Sequence, residues 1–515
     1  MSTQRRHGHR TRATLAIALA GGLLAAGLAG CGSDAKTGGT NGTLVFGISA
    51  DPAQMVPWTA TSTQSIQVLS QIYSPLLNTD AEGVPEAGLA ELPEISEDGK
   101  TYTFTLRDDV TFGDGSDLDS ADVKHTYEKI IDPASSASSA SYFANVAGIE
   151  APDPQTVVVT LKQPDASFVS GLTGVNTAIV PSDVDAKSLE TKPVGSGPYQ
   201  FKSRTPNESI TLTRNADYYA GKPGAATVEF RVIPDEQSMV SSLKTGSVDV
   251  AIFDNPVTAK TATSGQTKSM TVDSLSYHVL QLRATSPTLS DPNARLAIQC
   301  AISRQDVIDS AALGSGKPTG PITSPEFRSD PEAQPCPEQD LDKAKDYLAK
   351  AGKPNGFTLN LMTSQGLYST AVDEAQNIQA QLGKVGIKVN VEALDSNAYV
   401  ERWLAADFDA AIAMNGGSSD PNTMYSRYFT KAGSFNKVAG YSSPELDKLF
   451  ADGIATTDAA ARKPIYEEIS QHLVDQAAWV WLFTPEMYVV SNKAVEGLEE
   501  RTDASIATLW KASVS

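Results

Sequence analysis

The stretch FTLNLMTSQGLYSTAVDEAQNIQAQLGKVGIKVNVEALDSNAYVERWLAADFDAAIAMN, residues 357–415, decides the fold class of this chain. Apolar segments at 357–364, 387–394 and 408–415 have the pattern of buried strands, and the segments between them, 370–384 and 396–405, have helical spacing. A strand–helix–strand–helix–strand series folds through right-handed crossovers into a parallel sheet. The stretch therefore predicts an α/β fold.

The loop after the third of these strands is the candidate ligand loop, because ligands of open parallel sheets bind beyond the carboxyl ends of the strands. Its residues are Asn415, Gly416, Gly417, Ser418, Ser419 and Asp420. The two glycines permit a close backbone approach, and a carboxylate such as that of Asp420 can bind an ammonium group. Asp420 can equally cap a turn before Pro421, so both roles are open at this point.

Further strands and helices are predicted on both sides of this stretch. Residues 228–253 have a strand–helix–strand pattern, residues 101–110 alternate as a half-buried strand, and residues 477–483 form a buried strand. A helix is expected over 65–77, and another is expected to begin at Pro464. Ser443 and Gly453 are expected to cap and to end a helix between them.

The N-terminus is predicted to be a lipoprotein signal. Four arginines within the first twelve residues precede the short apolar run 13–30, as in secretory signal peptides. Leu28-Ala29-Gly30-Cys31 resembles the lipobox of bacterial lipoproteins, in which the cysteine is lipidated and becomes the first residue. Residues 1–30 are therefore predicted to be removed, and 31–42 to be a lipidated Cys31 with a flexible tether. The protein would be exported and anchored to the outer face of the cell membrane.

Composition excludes several classes of protein. The 515 residues include 41 Lys and Arg against 61 Asp and Glu, a formal charge of −20, which argues against binding to nucleic acid. Five His and three Cys leave too few ligands for a multi-cysteine zinc site. Serine-hydrolase, zinc-protease, P-loop and dinucleotide-binding motifs do not occur in the sequence. We therefore predict no enzyme, no cofactor and no metal.

Two cysteines and one histidine remain to be assigned. In an exported chain, Cys300 and Cys336 most simply form a disulfide, with two free buried thiols as the alternative. His278 lies in a predicted strand that opens a domain, where a structural role is favoured and a ligand contact is the alternative. His125 and His472 lie on helical patterns and are predicted to be structural.

Several landmarks, taken together, resemble one known family. They include PVGSGPYQFKS (193–203), VEFRVIPDEQSMVSSLKTGSVDVA (228–251), RLAIQCAISRQDVID (295–309), DPN (420–422) and GYSSPELDKLF (440–450). With these, the chain from about residue 42 to about 497 is similar to the solute-binding lipoproteins of ABC importers, in the oligopeptide/dipeptide-binding family. Gly-Ser-Gly in the first landmark departs from the Gly-Thr-Gly that is common there.

The resemblance implies a two-lobed periplasmic-binding-protein-like fold of type II with an extra inserted domain. Domain I of the first lobe would comprise residues 43–77, 193–272 and 483–515, and the inserted domain II would comprise 78–192. The second lobe would be domain III, residues 273–482. The ligand would be enclosed between the lobes by hinge closure.

The resemblance also implies a function and a site. A short peptide would be captured and delivered to the permease subunits, with Asp420 holding the peptide's ammonium group. Ala50, Asp51 and Tyr277 fall where other walls of the cleft lie in that family, and the protein is expected to be a monomer. The same fold binds oligosaccharides, opines, haem or nickel complexes in other proteins, and a peptide-sensing role is a further alternative. A secreted hydrolase is disfavoured because no catalytic triad is recognisable in the sequence.

Overall fold

The structure of the protein, a computed structural model, describes residues 42–502 and 505–514. The predicted signal peptide 1–30, Cys31 and the tether as far as residue 41 lie outside the described residues. Among the helices that are described, none has both the length and the hydrophobicity needed to cross a membrane.

The strands of the described residues, numbered in chain order, are β1 (Thr43–Ile48), β2 (Leu77–Thr79), β3 (Pro85–Ala87), β4 (Glu94–Ile95), β5 (Thr101–Thr105), β6 (Val146–Asp153), β7 (Thr156–Leu161), β8 (Tyr199–Thr205), β9 (Ser209–Arg214), β10 (Thr227–Val232), β11 (Val250–Phe253), β12 (Thr267–Asp273), β13 (Tyr277–Leu282), β14 (Lys317–Pro318), β15 (Thr358–Gln365), β16 (Lys388–Asp395), β17 (Ala410–Asn415), β18 (Trp479–Thr484), β19 (Glu486–Asn492), β20 (Val495–Glu496) and β21 (Ser513–Val514).

The α-helices of the same residues are α1 (Thr63–Ile72), α2 (Ser120–Ile131), α3 (Phe168–Gly171), α4 (Ala186–Thr191), α5 (Glu236–Thr245), α6 (Pro256–Ala262), α7 (Pro292–Ala301), α8 (Arg304–Ala311), α9 (Leu341–Lys350), α10 (Ala371–Gly383), α11 (Ser396–Ala405), α12 (Pro421–Phe429), α13 (Asn436–Ala439), α14 (Pro444–Ala455) and α15 (Ala459–Asp475). Short 3₁₀ turns lie at Pro57–Thr59, Pro133–Ser135, Ala140–Phe143, Val175–Thr177, Pro325–Phe327 and Leu509–Lys511.

Sheet A has seven strands in the order β12-β19-β11-β1-β10-β9-β8. Strand β1 pairs in parallel with both β10 and β11, and this brings the carboxyl ends of three strands to one edge. The predicted strand–helix–strand unit is confirmed as β10, α5 and β11. Asp235 caps α5 by accepting a hydrogen bond from the Ser238 amide, and Gly246 ends the helix in the left-handed conformation.

Sheet C has six strands in the order β14-β18-β13-β17-β15-β16. Strand β15 pairs in parallel with β16 and with β17, which confirms the parallel series predicted for residues 357–415. Strands β13, β17 and β18 are central, and all residues of β13 and β18 are buried. Helices α7, α8 and α10 contribute to the core on this sheet.

Sheet B is a smaller antiparallel sheet of β4, β5, β7 and β6. Tyr102, Phe104 and Leu106 face its core, as the alternation at 101–110 predicts. Helix α2 covers this sheet, and its N-cap, Asp119, forms a capping box with Asp122. All four strands lie within 78–192, the range expected for the inserted domain, and the domain limits themselves stay a prediction.

The chain passes between sheets A and C at two adjacent places. Residues 274–276 lead from β12 to β13, and Pro485 leads from β18 to β19. The Ser274 amide donates a hydrogen bond to the Pro485 carbonyl at 3.1 Å, which ties the two crossings together. Below, sheets A and B with their helices are called the first lobe, and sheet C with its helices the second lobe.

Three expected helix ends are wrong. Helix α1 ends at Ile72 instead of continuing to residue 77. Helix α15 begins at Ala459, because Asp458 caps it, and Pro464 therefore lies inside the helix. Gly453 lies inside α14, where a side chain would meet the Tyr466 ring at 2.9 Å. This glycine permits a close contact between two helices and does not end one.

Cys300 of α7 and Cys336, which precedes α9, are joined in the disulfide that the sequence predicts. Both side chains are buried in the core beside sheet C. Since the two residues are 36 positions apart, we expect Cys300→Ala with Cys336→Ala to lower the free energy of unfolding by about 4 kcal/mol. Urea denaturation of the wild-type protein and of the double variant measures this difference. Reductant should lower the midpoint of the wild-type protein and leave that of the double variant unchanged. An unchanged midpoint for the reduced wild-type protein would contradict the disulfide.

Candidate functional site

A cavity of about 430 Å³ lies between the two lobes, beside the crossings. Its first-lobe wall includes Thr63, Gln67, Ile252 and Asp254, and its second-lobe wall includes His278, Tyr368, Met414 and Phe483. The crossing residues Ser274, Ser276 and Pro485 also line it. A solute bound there would therefore contact both lobes and the segments that join them.

A second cavity, of about 340 Å³, adjoins the first and shares Asp254 with it. Ser49, Ile233 and Pro234 line it at the points where β1 and β10 end, and Asp254 follows β11. The two cavities therefore lie at the carboxyl ends of parallel strands of sheet A, where ligands of such sheets bind. We call them together the interlobe cleft. Two larger hollows, of about 550 and 690 Å³, are lined by first-lobe residues alone and do not lie between the lobes.

A buried histidine–carboxylate pair forms part of the second-lobe wall. His278 Nδ1 lies 2.8 Å from Glu374 Oε1, and the Thr370 hydroxyl donates to the same oxygen at 2.6 Å. The two paired residues are 3% and 0% exposed. The imidazole ring stacks on Phe483, with ring centroids 4.3 Å apart and an angle of 8° between the planes. These contacts fix the ring, so that one nitrogen faces the carboxylate.

The predicted wall residue Tyr277 lies on the opposite side of sheet C from the cleft. Strands β13 and β17 pair Tyr277 with Asn415 and His278 with Met414. Because side chains alternate along a strand, the second pair lines the cleft and the first pair lies in the core on the other face. Tyr277 is fully buried, stacks on Tyr425 and accepts a hydrogen bond from the Asn415 amide at 3.1 Å. Tyr277 is therefore not among the residues that line the cleft, and a ligand contact at Tyr277 stays a prediction.

The predicted ligand loop packs against the crossing instead of lining the cleft. A side chain at Gly417 would lie 2.3 Å from the Leu275 carbonyl oxygen, so this glycine accommodates the crossing chain. A side chain at Gly416 would have room, because a Cβ atom there would have only the Met424 side chain within 4 Å, at 3.9 Å. The Ser418 carbonyl accepts a hydrogen bond from the Ser324 hydroxyl at 2.7 Å. Residues 415–420 are not among the residues that line the cleft, while Met414 is.

Asp420 is the N-cap of α12 and one partner of a buried ion pair. Its Oδ1 accepts a hydrogen bond from the Asn422 amide at 2.8 Å, and its Oδ2 lies 2.7 Å from Arg462 Nη2. The side chains of both partners are less than a tenth exposed. The guanidinium of Arg462 also contacts the rings of Phe327 and Tyr466. The capping role is present in the structure, and an ammonium contact at Asp420 stays a prediction.

The carboxylate of Asp165, in the first lobe, is close enough to Asp420 for the two negative charges to repel each other. Burial raises the pKa of Asp165, and the negative charge of Asp420 adds to the rise. Next to it, the Ala166 amide donates a hydrogen bond to the Ile454 carbonyl at 2.9 Å. The two lobes are therefore also in contact at Ala166 and Ile454, which are distant in sequence from the crossings.

Asp51 and Ala50, the remaining predicted wall residues, follow β1 but do not line the cleft. Asp51 forms a two-pronged ion pair with Arg204, at 3.1 and 2.8 Å, and accepts a hydrogen bond from the Asn207 amide. Its carboxylate thus stabilises contacts within the first lobe, and Ala50 is exposed. Ser419, between Ser418 and Asp420, is half-buried. Ligand contacts at these positions stay predictions.

Some residues of the cleft were missed from the sequence. Gln67 and Asp254 belong to no recognisable motif, and Glu374 lies in the segment 370–384, for which the sequence predicts only a helix. The sequence gives little indication that Glu374 lies at the cleft, because acidic residues are common in the first turn of a helix. The described residues contain no group of three or more His, Cys, Asp or Glu placed to hold a metal ion.

Comparison with known proteins gives one matching family and many relatives. Residues 84–436 match the family described as bacterial extracellular solute-binding proteins, family 5. The glutathione-binding protein GsiB of Escherichia coli K12 is 27% identical over 504 residues, covering 92% of this chain and 94% of that protein.

Two solved structures show the same two-lobed type II periplasmic-binding fold. DppA from Helicobacter pylori, in complex with the peptide STSA, is 26% identical with a TM-score of 0.74, covering 92% of this chain and 98% of that chain. AgaA from A. tumefaciens R10, in complex with agropinic acid, is 30% identical with a TM-score of 0.75, covering 92% and 99%.

The structure makes a prediction for the ion pair of Asp420. Asp420→Asn keeps an oxygen for the helix cap but leaves the buried Arg462 without its counter-charge, so we expect it to lower the free energy of unfolding by about 3 kcal/mol. Urea denaturation measures the loss. Asp458→Asn, the same change at the exposed cap of α15, is the matched control and should change stability little. Equal effects of the two substitutions would contradict a stabilising role of the buried pair.

Proposed function

The chain belongs to the bacterial extracellular solute-binding proteins of family 5, the extracytoplasmic solute receptors of ABC importers, and on that premise we propose that it captures short peptides in the interlobe cleft and passes them to a permease. The observation that carries the peptide proposal is the cavity of about 430 Å³ at the two crossings, in a fold that a peptide-bound relative shares. Cavities of roughly 300–1,000 Å³ are the usual size for small-molecule sites.

The groups around the cleft support binding of a polar solute. Gln67, Ser276 and Thr370 offer side-chain donors and acceptors, and Ile252 and Phe483 offer apolar surface. A few polar groups on an apolar wall are typical of sites that orient a small ligand. Two adjacent chain crossings also form the kind of hinge about which lobes close on a ligand.

The named relatives support two classes of ligand. GsiB is a glutathione-binding protein, and glutathione is a tripeptide; DppA was solved with a tetrapeptide. AgaA was solved with agropinic acid, and its 30% identity makes an opine-like solute the second candidate. An oligosaccharide, a haem, a nickel complex or a peptide signal are further outcomes of the experiment below. In every case we propose that the solute is bound and released without chemical change.

We also propose the location and state of the mature protein. Cleavage before Cys31 and lipidation of its thiol would anchor the protein to the outer face of the cell membrane, with residues as far as 42 as the tether. A monomer is proposed, in which each molecule delivers its own solute to the permease subunits.

Native mass spectrometry of the protein as isolated tests the ligand class. We expect the native protein to carry additional mass that matches short peptides. Denaturation should release these peptides, and their termini should be unmodified. Added tripeptides should produce complexes of one peptide per chain. Recovery of an opine, a sugar or a metal complex, with no complex formed by the tripeptides, would contradict the peptide proposal.

Metabolic labelling tests the lipid anchor. Labelled palmitate should enter the wild-type protein and should be absent from Cys31→Ala, which removes the only thiol of the lipobox-like segment. Cys300→Ala with Cys336→Ala is the matched control and should keep the label. Equal label in the Cys31→Ala protein would contradict lipidation at this residue.

A further inference from the structure

The interlobe cleft has an unbalanced charge. Asp254 and Glu486 line the larger cavity, and Glu236 lines the adjoining one. Of the described residues that line the two cavities, none is Lys or Arg. Glu486 is held in place, because the hydroxyls of Ser315 and Tyr488 lie 3.1 and 2.9 Å from its Oε2. A solute in the cleft therefore meets fixed negative charge and no fixed positive charge.

His278 does not change this balance. Its Nδ1 faces Glu374, so the histidine–glutamate pair has no net positive charge even when the imidazole is protonated. The other ring nitrogen, Nε2, has no hydrogen-bond partner among the described residues, although His278 is almost completely buried and lines the cavity. The Tyr368 hydroxyl beside it is also buried without a partner in the described part of the chain. A buried hydroxyl normally has a partner, so the Tyr368 hydroxyl is available to a solute, as is the Nε2 atom of His278.

We propose that the cleft selects solutes that carry a positively charged side chain, and that His278, held by Glu374, contacts the solute and contributes to this selection. A side-chain carboxylate of a solute would lose its hydration and find no Lys or Arg to replace it. An ammonium or guanidinium group finds Asp254 and Glu486, and a neutral His278 offers Nε2 as an acceptor for its N–H groups. The inference rests on the proposed function, since it names the kind of peptide that the cleft binds.

Isothermal titration with alanine tripeptides tests this selection. In each peptide, one of the three alanines is replaced by Lys, Gln or Glu. This gives nine peptides, and the purified protein is titrated with each of them. We expect the best Lys peptide to bind roughly tenfold more tightly than its Gln counterpart, which is the factor that a hydrogen bond with a charged partner usually provides, and the Glu peptides to bind most weakly. Equal affinities, or tighter binding of Glu peptides, would overturn the inference and leave the peptide function standing. Binding of none of the nine would overturn both.

Substitutions locate the selection in the cleft. Asp254→Asn should reduce the ratio of Lys to Gln affinity several-fold, because it removes a negative charge of the cleft and keeps a side chain of the same size. His278→Gln should also reduce the ratio, a readout that loss of packing alone would not move. Asp342→Asn, an exposed acid outside both cavities, is the matched control and should keep the wild-type ratio. Wild-type ratios in the Asp254 and His278 variants would overturn the assignment.

Discussion

The hydrogen bond from the Ser274 amide to the Pro485 carbonyl marks the constraint on which the arrangement of the two lobes depends. Sheets A and C are connected at these two adjacent crossings, and residues of both crossings line the larger cavity of the interlobe cleft. Leu275 packs against Gly417 so closely that no side chain fits there. The crossing, the loop after β17 and the cleft are therefore parts of one region, and a movement of the lobes must be absorbed by a few residues in it.

Two buried polar pairs in the second lobe serve different purposes. Asp420 and Arg462 satisfy each other, and Asp420 also caps α12, so this pair holds helices α12 and α15 together. His278 and Glu374 satisfy only part of their hydrogen-bonding capacity, because Glu374 Oε2 has no partner among the described residues. A satisfied pair is typical of structure, and a partly satisfied pair beside a cavity is typical of a binding site. On this ground His278 is the contact that we propose for the second lobe, and a contact at Asp420 stays a prediction.

The sequence predicted the fold better than the site. The parallel series at 357–415 and the cap at Ser443 follow from local periodicity and local hydrogen bonds, and the structure confirms both. Which face of β13 and β17 borders the cleft could not be predicted, since both faces of each strand carry apolar residues and alternation gives no direction. Tyr277 and Asn415 were therefore chosen, although their neighbours His278 and Met414 line the cleft. The contact of Gly417 with Leu275 joins distant segments, which no local pattern reveals.

We propose that the solute binds between the lobes at the crossings. A crystal structure of the protein with the solute that it carries on isolation shows directly where the solute lies. We predict electron density for the solute between Asp254 of the first lobe and His278 of the second, in contact with the crossing residues Ser274 and Ser276. Density in either of the two hollows that the first lobe forms alone, with an empty interlobe cleft, would contradict it.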